Sequence, residues 1–268
     1  MEDFALDPIH GLPPIAPNHS PGGIDLWCFY YEQVSDYDLF DAYEDLMTGD
    51  ERLRCKSFRF QRDRLMFLAT RALVRTALSA YVDVPPRAWR FAEGARGKPY
   101  IKKPTGLPSL HFNLSNTRGL VVCAVSRTYD LVGVDVEWID REGETASLAD
   151  SHFSPIEVRA LHALPAELQP GRFFRYWTLK ESYIKARGLG LALPLEQFSF
   201  LLDGTLPIRI AFDQRLGENP CRWRFALLSA SGSHIVAAAA ATGGRPLALS
   251  ASNYIPLRGM IPFERIAP

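Results

Sequence analysis

Apolar residues recur along the chain with two different periods, and each period indicates a different secondary structure. Short continuous or alternating apolar runs predict β-strands at residues 24–31, 87–92, 110–114, 120–125, 131–138, 198–202, 208–212, 223–228 and 234–240. Apolar positions three and four apart predict α-helices at residues 36–47, 51–60, 61–81 and 172–191, and from residue 154 onward. Because both kinds are interleaved along the chain, the pattern predicts an α+β fold.

The order of these elements repeats. A strand, a short helix, a long helix and a small sheet follow one another twice, which predicts an internal duplication. On this basis the chain divides into a mobile leader rich in Pro and Gly at 1–23, an N-terminal half at 24–128, a C-terminal half at 129–245 and an extension at 246–268. Two such halves packed face to face would form a cleft, which is a natural place for a ligand.

The strand predicted at residues 131–138 carries two carboxylates on one face. Its three valines point to one side, whereas Asp135 and Glu137 point to the other. Like charges two positions apart on a strand repel each other, and Asp is a poor strand former. A hard cation such as Mg²⁺ would compensate for them, because it takes oxygen ligands. The alternative interpretation is a solvated acidic face.

The long helix predicted at residues 172–191 carries charge beside an aromatic stripe. Glu181 and Lys185 lie one turn apart on the face of Trp177, and Lys180 is their neighbour. An ordinary surface ion pair is one interpretation of this pattern. The other is that Glu181 adds a third carboxylate to the strand pair, while the two lysines bind phosphate oxygens.

Overall composition narrows the class of protein. Formal charge is zero at pH 7 and hydrophobic residues make up 47% of the chain, which gives no electrostatic case for nucleic acid or an anionic membrane as a partner. The four cysteines form no CxxC and have no zinc-ligand spacing. Their usage fits a reducing compartment, and the acidic N-terminus does not resemble a signal peptide. We therefore expect a cytoplasmic protein.

Two segments resemble the signature motifs of a known family, the 4'-phosphopantetheinyl transferases. They are GVDVE at 133–137 and WTLKESYIKARGLGL at 177–191, and GKPY at 97–100 with HFNLSNT at 111–117 extends the likeness. The sequence resembles the double-length type of this family, which activates surfactin synthetase. This resemblance implies two α/β halves related by pseudo-two-fold symmetry, and a monomer. It also implies transfer of 4'-phosphopantetheine from coenzyme A to a serine of an apo acyl or peptidyl carrier protein.

The resemblance implies a metal site and a phosphate site in the C-terminal half. Mg²⁺, with Mn²⁺ as an alternative, would bind Asp135, Glu137 and Glu181. Lys180 and Lys185 would contact phosphate oxygens of the coenzyme.

The serine that accepts the group must lose a proton, which requires a nearby base. Glu181 is the first candidate and Glu157 the second, with Lys185 assisting catalysis. Glu157 belongs to FSPIE at 153–157, which is similar to the family's FSxxE. Because Ser154 precedes it by three residues, a helix capping box is an equally good interpretation of Glu157.

The resemblance assigns the coenzyme phosphates to residues of the N-terminal half. Arg71 lies in ATRALVR, Lys98 precedes a proline, and the predicted turn at 115–119 offers Ser115 and Asn116. Arg54 is a weaker candidate for the same work. Asn116 stands where the family usually has His, and it donates hydrogen bonds but carries no charge.

Three other functions remain open at this point. A coenzyme A–binding module without transferase activity would keep the same residues. A Mg²⁺-dependent nucleotide hydrolase is weakened by the lack of a GxxxxGK[ST] motif. An α/β protein with a structural ion-pair network is the third possibility.

Overall fold

The computed structural model describes residues 22–140, 145–202 and 208–261. Its helices are α1 Tyr37–Leu46, α2 Gly49–Ser57, α3 Gln61–Ser79, α4 Thr145–His152, α5 Pro155–His162 and α6 Gln169–Arg187. Its strands are β1 Ile24–Phe29, β2 Arg90–Glu93, β3 Pro99–Lys103, β4 His111–Thr117, β5 Leu120–Ser126, β6 Val132–Trp138, β7 Phe198–Leu201, β8 Arg209–Phe212, β9 Trp223–Ser231, β10 His234–Ala241, β11 Leu249–Ile255 and β12 Gly259–Ile261. The predicted α+β class is confirmed.

The two halves repeat one connectivity. Each consists of a strand, three helices, a separate two-stranded ribbon and a closing hairpin. The first sheet contains the order β1-β5-β4, and the second has the matching order β6-β10-β9. The long helices α3 and α6 occupy the same place in this order and have 19 residues each.

The sheets stack on each other and the long helices cover their outer faces. Strands β5 and β6 are buried on both sides, since one set of alternating side chains meets the other sheet and the other set meets a helix. The core between the sheets is built mainly from aliphatic residues, including Leu26, Val122, Val134, Val136 and Ala238. This core fixes the position of β4 relative to β6, where the candidate site lies.

Residues 249–261 belong to the first sheet. Strand β11 pairs in parallel with β1, and β12 pairs with β11. The hydroxyl of Ser250 donates a hydrogen bond to Asp25, 225 positions earlier. Apolar periodicity alone predicts no element after about residue 243, and the pairing of β11 with the distant strand β1 is not readable from the local sequence.

Three local predictions need correction. Asp50 directly precedes the helix predicted at 51–60 and would be its cap, but Thr48 caps α2, because Thr48 and Glu51 form a reciprocal capping box. Strand β4 continues to Thr117, so Ser115 and Asn116 lie on a strand and not in the turn. The polar stretch at 140–150 predicts a loop, but α4 begins at Thr145. Residues 141–144, and the turn that Asp203 and Gly204 predict between two strands, lie outside the described residues.

No helix among the described residues is long and apolar enough to cross a bilayer. The cysteines are free; three of them are buried and Cys221 is exposed.

Candidate active site

Gly133 allows α6 to lie directly against β6. A Cβ atom built on this residue would stand 2.1 Å from the carbonyl oxygen of Ser182 and 2.4 Å from the backbone nitrogen of Ala186. Only a residue without a side chain permits such an approach. The glycine of the GVDVE motif therefore brings the end of α6 beside Asp135, which lies two residues further along β6.

Asp135, Ser115 and Lys185 meet where the halves join. The hydroxyl of Ser115 donates to Oδ1 of Asp135 at 2.9 Å, and Nζ of Lys185 donates to the same oxygen at 2.6 Å. Ser115 also accepts hydrogen bonds from Nζ of Lys185 at 2.8 Å and from the backbone N–H of Val136 at 3.2 Å. Lys185 therefore pairs with Asp135 of β6. It is not simply the partner of Glu181 in a surface ion pair along the helix.

Glu181 lies close enough to Asp135 for their charges to interact. Burial raises the pKa of Glu181, the carboxylate of Asp135 raises it further, and Lys185 opposes the shift. Oδ2 of Asp135 is buried and accepts no hydrogen bond from any described residue. Two carboxylates share this site with one lysine, so the site has unbalanced negative charge.

The three-carboxylate metal group expected from the sequence does not assemble fully. Within the described ranges, no group of three or more acidic, His or Cys side chains is arranged to hold a metal ion. Glu137 follows Asp135 on the same face of β6 and is partly buried. The pair of Asp135 and Glu181 still fits a hard cation, because Mg²⁺ commonly uses one or two carboxylates and fills its shell with water and phosphate oxygens. The unpartnered Oδ2 of Asp135 supplies an oxygen suited to it.

A cavity of about 370 Å³ opens on the other side of β4. Arg54, Arg71 and Asn116 line it, together with Phe67 and Thr70. Asn116 follows Ser115 on the strand and so points the opposite way. Its amide lies 3.5 Å from the hydroxyl of Thr70. Neighbouring residues of one strand thus face the two parts of the site.

The arginines of this cavity stack on an aromatic ring and have an incomplete set of partners. The guanidinium carbons of Arg71 and Arg54 lie 4.9 Å and 5.5 Å from the centroid of Phe67. Nε of Arg71 is buried and donates no hydrogen bond to the described part of the chain. Burial lowers the pKa of Arg71, the carboxylate of Glu51 opposes that shift, and Arg54 adds to it. An anion would relieve both the repulsion and the missing hydrogen bond.

Glu51, on helix α2, interacts with two arginines of α3. It completes the capping box of α2 and pairs with the fully buried Arg75, while its other oxygen lies 3.7 Å from Nε of Arg71. Burial lowers the pKa of Arg75 to about 10, against the effect of Glu51. One carboxylate therefore faces two guanidinium groups, while the carboxylates of Asp50 and Glu93 also line the cavity.

Lys180 and Glu157 lie away from the candidate site, contrary to their predicted roles. Nζ of Lys180 donates to Oε2 of Glu157 at 2.8 Å and to the carbonyl oxygens of Leu195 and Phe198 at 2.7 Å and 2.6 Å. These contacts use all three ammonium protons. Burial lowers the pKa of Lys180, and Glu157 opposes that shift.

Glu157 serves the alternative role of the capping box, in which Ser154 is its partner. Its Oε1 also accepts from the backbone N–H of Phe200 at 2.8 Å. Both oxygens are therefore engaged in holding α5 against α6 and β7, in contacts with Ser154, Lys180 and Phe200. Glu157 and Glu51 hold equivalent places in the two halves.

Lys98 also differs from its predicted role at the coenzyme phosphates. Its Nζ donates to the carbonyl oxygens of Val132 at 3.0 Å and Ala186 at 2.9 Å. Burial lowers the pKa of Lys98 to about 8, and Asp130 opposes that shift. The flanking Gly97 and Pro99 line the cavity, but the ammonium group is directed to the C-terminal half.

Sequence reasoning missed several residues that shape the site. Phe67, Thr70 and Glu51 face the cavity, and Gly133 sets the distance between α6 and β6. Glu51 could have been found from the sequence, because Thr48 and Glu51 have the spacing of a capping box. No local pattern distinguishes Phe67 or Thr70 from other residues on the apolar stripe of α3.

A cavity that contains two arginines lies beside a carboxylate and lysine centre, at the junction of two repeated α+β halves. Residues 131–239 match the model of the 4'-phosphopantetheinyl transferase superfamily, and residues 35–128 match that of the 4'-phosphopantetheinyl transferase N-terminal region. The chain belongs to the 4'-phosphopantetheinyl transferase family, and it is a transferase of that class. The resemblance inferred from the motifs is thereby confirmed.

Three relatives named as 4'-phosphopantetheinyl transferases are similar to this chain over two thirds or more of their own length. The chain is 37% identical over 164 residues to the 4'-phosphopantetheinyl transferase HetI of Nostoc sp., covering 61% of this chain and 68% of the relative. It is 34% identical over 197 residues to a 4'-phosphopantetheinyl transferase of Bacillus subtilis, covering 71% and 83%. Against the 4'-phosphopantetheinyl transferase Sfp of Bacillus subtilis (strain 168), identity is 29% over 187 residues, covering 69% and 80%.

Proposed function

We propose that this protein transfers 4'-phosphopantetheine from coenzyme A to a serine hydroxyl of an apo acyl or peptidyl carrier protein. The observation that supports it most directly is the arrangement on β4. Ser115 contacts Asp135 and Lys185, while the adjacent Asn116 faces the cavity lined by Arg54 and Arg71. A ligand with phosphate groups at two separated places could therefore engage both parts of the site.

Each part of the site would bind a different portion of the coenzyme. Arg54 and Arg71 would bind one phosphate through charge-assisted hydrogen bonds, with the Phe67 ring within cation–π distance of both guanidinium groups. Asn116 would donate a neutral hydrogen bond where a charged His is usual in the family. At the junction of the halves, Lys185 would bind the diphosphate.

The reaction exchanges one phosphorus–oxygen bond for another. The serine oxygen of the carrier forms a bond to the phosphorus that bears pantetheine, the bond to the bridging oxygen breaks, and 3',5'-ADP leaves with that oxygen. The serine proton moves to a carboxylate near the cation, for which Glu181 is the first candidate. Lys185 stabilises the negative charge that develops on the leaving phosphate.

Asp135 and Glu181 would hold a divalent cation, Mg²⁺ or Mn²⁺, with Glu137 adjacent on the strand. Such a cation would neutralise charge on the diphosphate during transfer. The support for this assignment is the unpartnered Oδ2 of Asp135 and the mutual repulsion of the two carboxylates.

The function is tested by the intact mass of an apo carrier protein after incubation with this protein, coenzyme A and Mg²⁺. We expect a gain of one phosphopantetheine group, which EDTA and Glu181→Gln abolish. Glu167→Gln, at an exposed glutamate before α6, is the matched control and should leave the gain intact. Coenzyme A that binds tightly without any mass gain, across acyl and peptidyl carriers, would instead favour the binding module.

A further inference from the structure

The loop between β2 and β3 contacts both parts of the site. On one side, Gly97 and Pro99 line the cavity. The loop is closed by backbone hydrogen bonds from Gly94 to the carbonyl oxygen of Lys98 and from Gly97 to that of Gly94, both at 2.9 Å. Since the loop is compact, a displacement on its cavity side would be carried to the opposite side.

On that opposite side, Lys98 joins the beginning of β6 to the end of α6. Its ammonium group bridges the carbonyl oxygens of Val132 and Ala186. Val132 is the first residue of β6, and Ala186 directly follows Lys185. A cation at this place also interacts favourably with the negative end of the helix dipole.

The same loop packs around the residues that end α6. Gly188 caps the helix in the left-handed conformation, with φ at 63°. A Cβ atom on Gly188 would lie 3.2 Å from Cδ of Lys98. Nη1 of the exposed Arg96 donates to the carbonyl oxygen of Leu189 at 3.1 Å. The loop thus holds the helix end through two side chains, of which only Lys98 also reaches β6.

We propose that Lys98 is a positioning residue that transmits occupancy of the cavity to the pair of Asp135 and Lys185. This inference rests on the proposed function, because it takes the cavity to be the coenzyme site. The strand and the helix that Lys98 bridges are the elements that carry Asp135 and Lys185. A coenzyme seated against Gly97 and Pro99 presses on the loop, and Lys98 then fixes the spacing of those elements.

The first test compares transfer kinetics of the full chain with those of Lys98→Met, which keeps most of the unbranched side chain and removes the donors. We expect kcat to fall about tenfold, because small displacements of reacting groups cost rate, while KM for coenzyme A changes less than twofold. Lys98→Arg should restore part of kcat. Arg96→Met is the matched control on the same loop and should change kcat less than Lys98→Met does.

The second test measures amide hydrogen exchange at residues 186–190 with and without coenzyme A. The wild-type protein should show slower exchange when the coenzyme binds, and Lys98→Met should bind the coenzyme without that change. Lys98→Gln takes its place if the Met variant unfolds, with the same expectation. An unchanged kcat, a rise in KM alone, or equal protection in the variant would overturn the proposal.

These readouts separate the two proposals. If the wild-type protein modifies no carrier, the proposed function fails, but coenzyme-dependent protection at 186–190 that requires Lys98 still supports the coupling. If transfer proceeds and the protection does not depend on Lys98, the function stands and the coupling is wrong.

Discussion

A methyl group added at Gly133 would force α6 away from β6. The new carbon in Gly133→Ala would lie 2.1 Å from the carbonyl oxygen of Ser182, whereas carbon atoms pack at roughly 3.5 Å. All three nearest atoms belong to the helix backbone, so no side chain can yield. Relief therefore requires α6 to move by about 1 Å, taking Lys185 and Glu181 with it.

Both stability and activity should respond to that movement. Overpacking costs about 1–3 kcal/mol where side chains adjust, and we expect the upper end because backbone must shift here. A displacement of about 1 Å at reacting groups lowers rates by on the order of 100-fold. Urea unfolding would give the first quantity, and transfer to an apo carrier under fully folding conditions the second.

Gly171→Ala provides a control within the same helix. No atom lies within 4 Å of a Cβ placed there, and Ala is the better helix former, so stability should be equal or higher by up to about 1 kcal/mol. If Gly133→Ala matched the wild-type free energy of unfolding and kept kcat within twofold, the close approach of α6 would not be what positions the site.

Three further substitutions test separate parts of the molecule. Lys180→Met should lower the urea midpoint by an amount equivalent to about 3–5 kcal/mol, since it leaves the buried carboxylate of Glu157 without its cation; an effect under 1 kcal/mol would contradict this. Glu181→Gln should raise the melting temperature at pH 7 in the absence of metal, because a carboxyl whose pKa is raised by folding destabilises the folded state once the pH exceeds its unfolded pKa. Added Mg²⁺ should raise the melting temperature of the wild type and not that of the variant. An equal rise in both proteins would count against the metal site. Arg71→Ala should raise KM for coenzyme A by roughly 10- to 100-fold through loss of a charge-assisted contact, whereas the exposed Arg62→Ala on the same helix should not, and a change confined to the carrier KM would place Arg71 at the protein interface.

Motif and periodicity together predicted the α+β class and the repeated element order. These succeeded because the alternation of β6 and the spacing of α6 are local properties that tertiary packing preserved. The family assignment rested on the same two segments.

Roles that depend on contacts between elements far apart in the chain could not be predicted from the sequence. Lys180 and Glu181 are adjacent in sequence, but adjacent helix residues point about 100° apart, so one faces β7 and α5 while the other faces Asp135. Which of the two faces the site is decided by packing. Lys98 likewise precedes a proline on an exposed-looking turn, yet its partners are carbonyl groups of residues 132 and 186, which no side-chain pattern reveals.

The first sheet cannot be completed until strand β11 has been synthesised, because β11 pairs with β1. Its partner β1 is buried along its whole length in the finished fold, so until residues 249–255 are synthesised, an apolar edge stays open through translation of the entire second half. Open edges of this kind recruit other strands, and the closing contact spans a long loop whose formation is slow. A nascent chain halted after β10 would therefore be a substrate for chaperones or for aggregation, and tags or fusions that hinder β11 would damage the first half, far from the point of attachment.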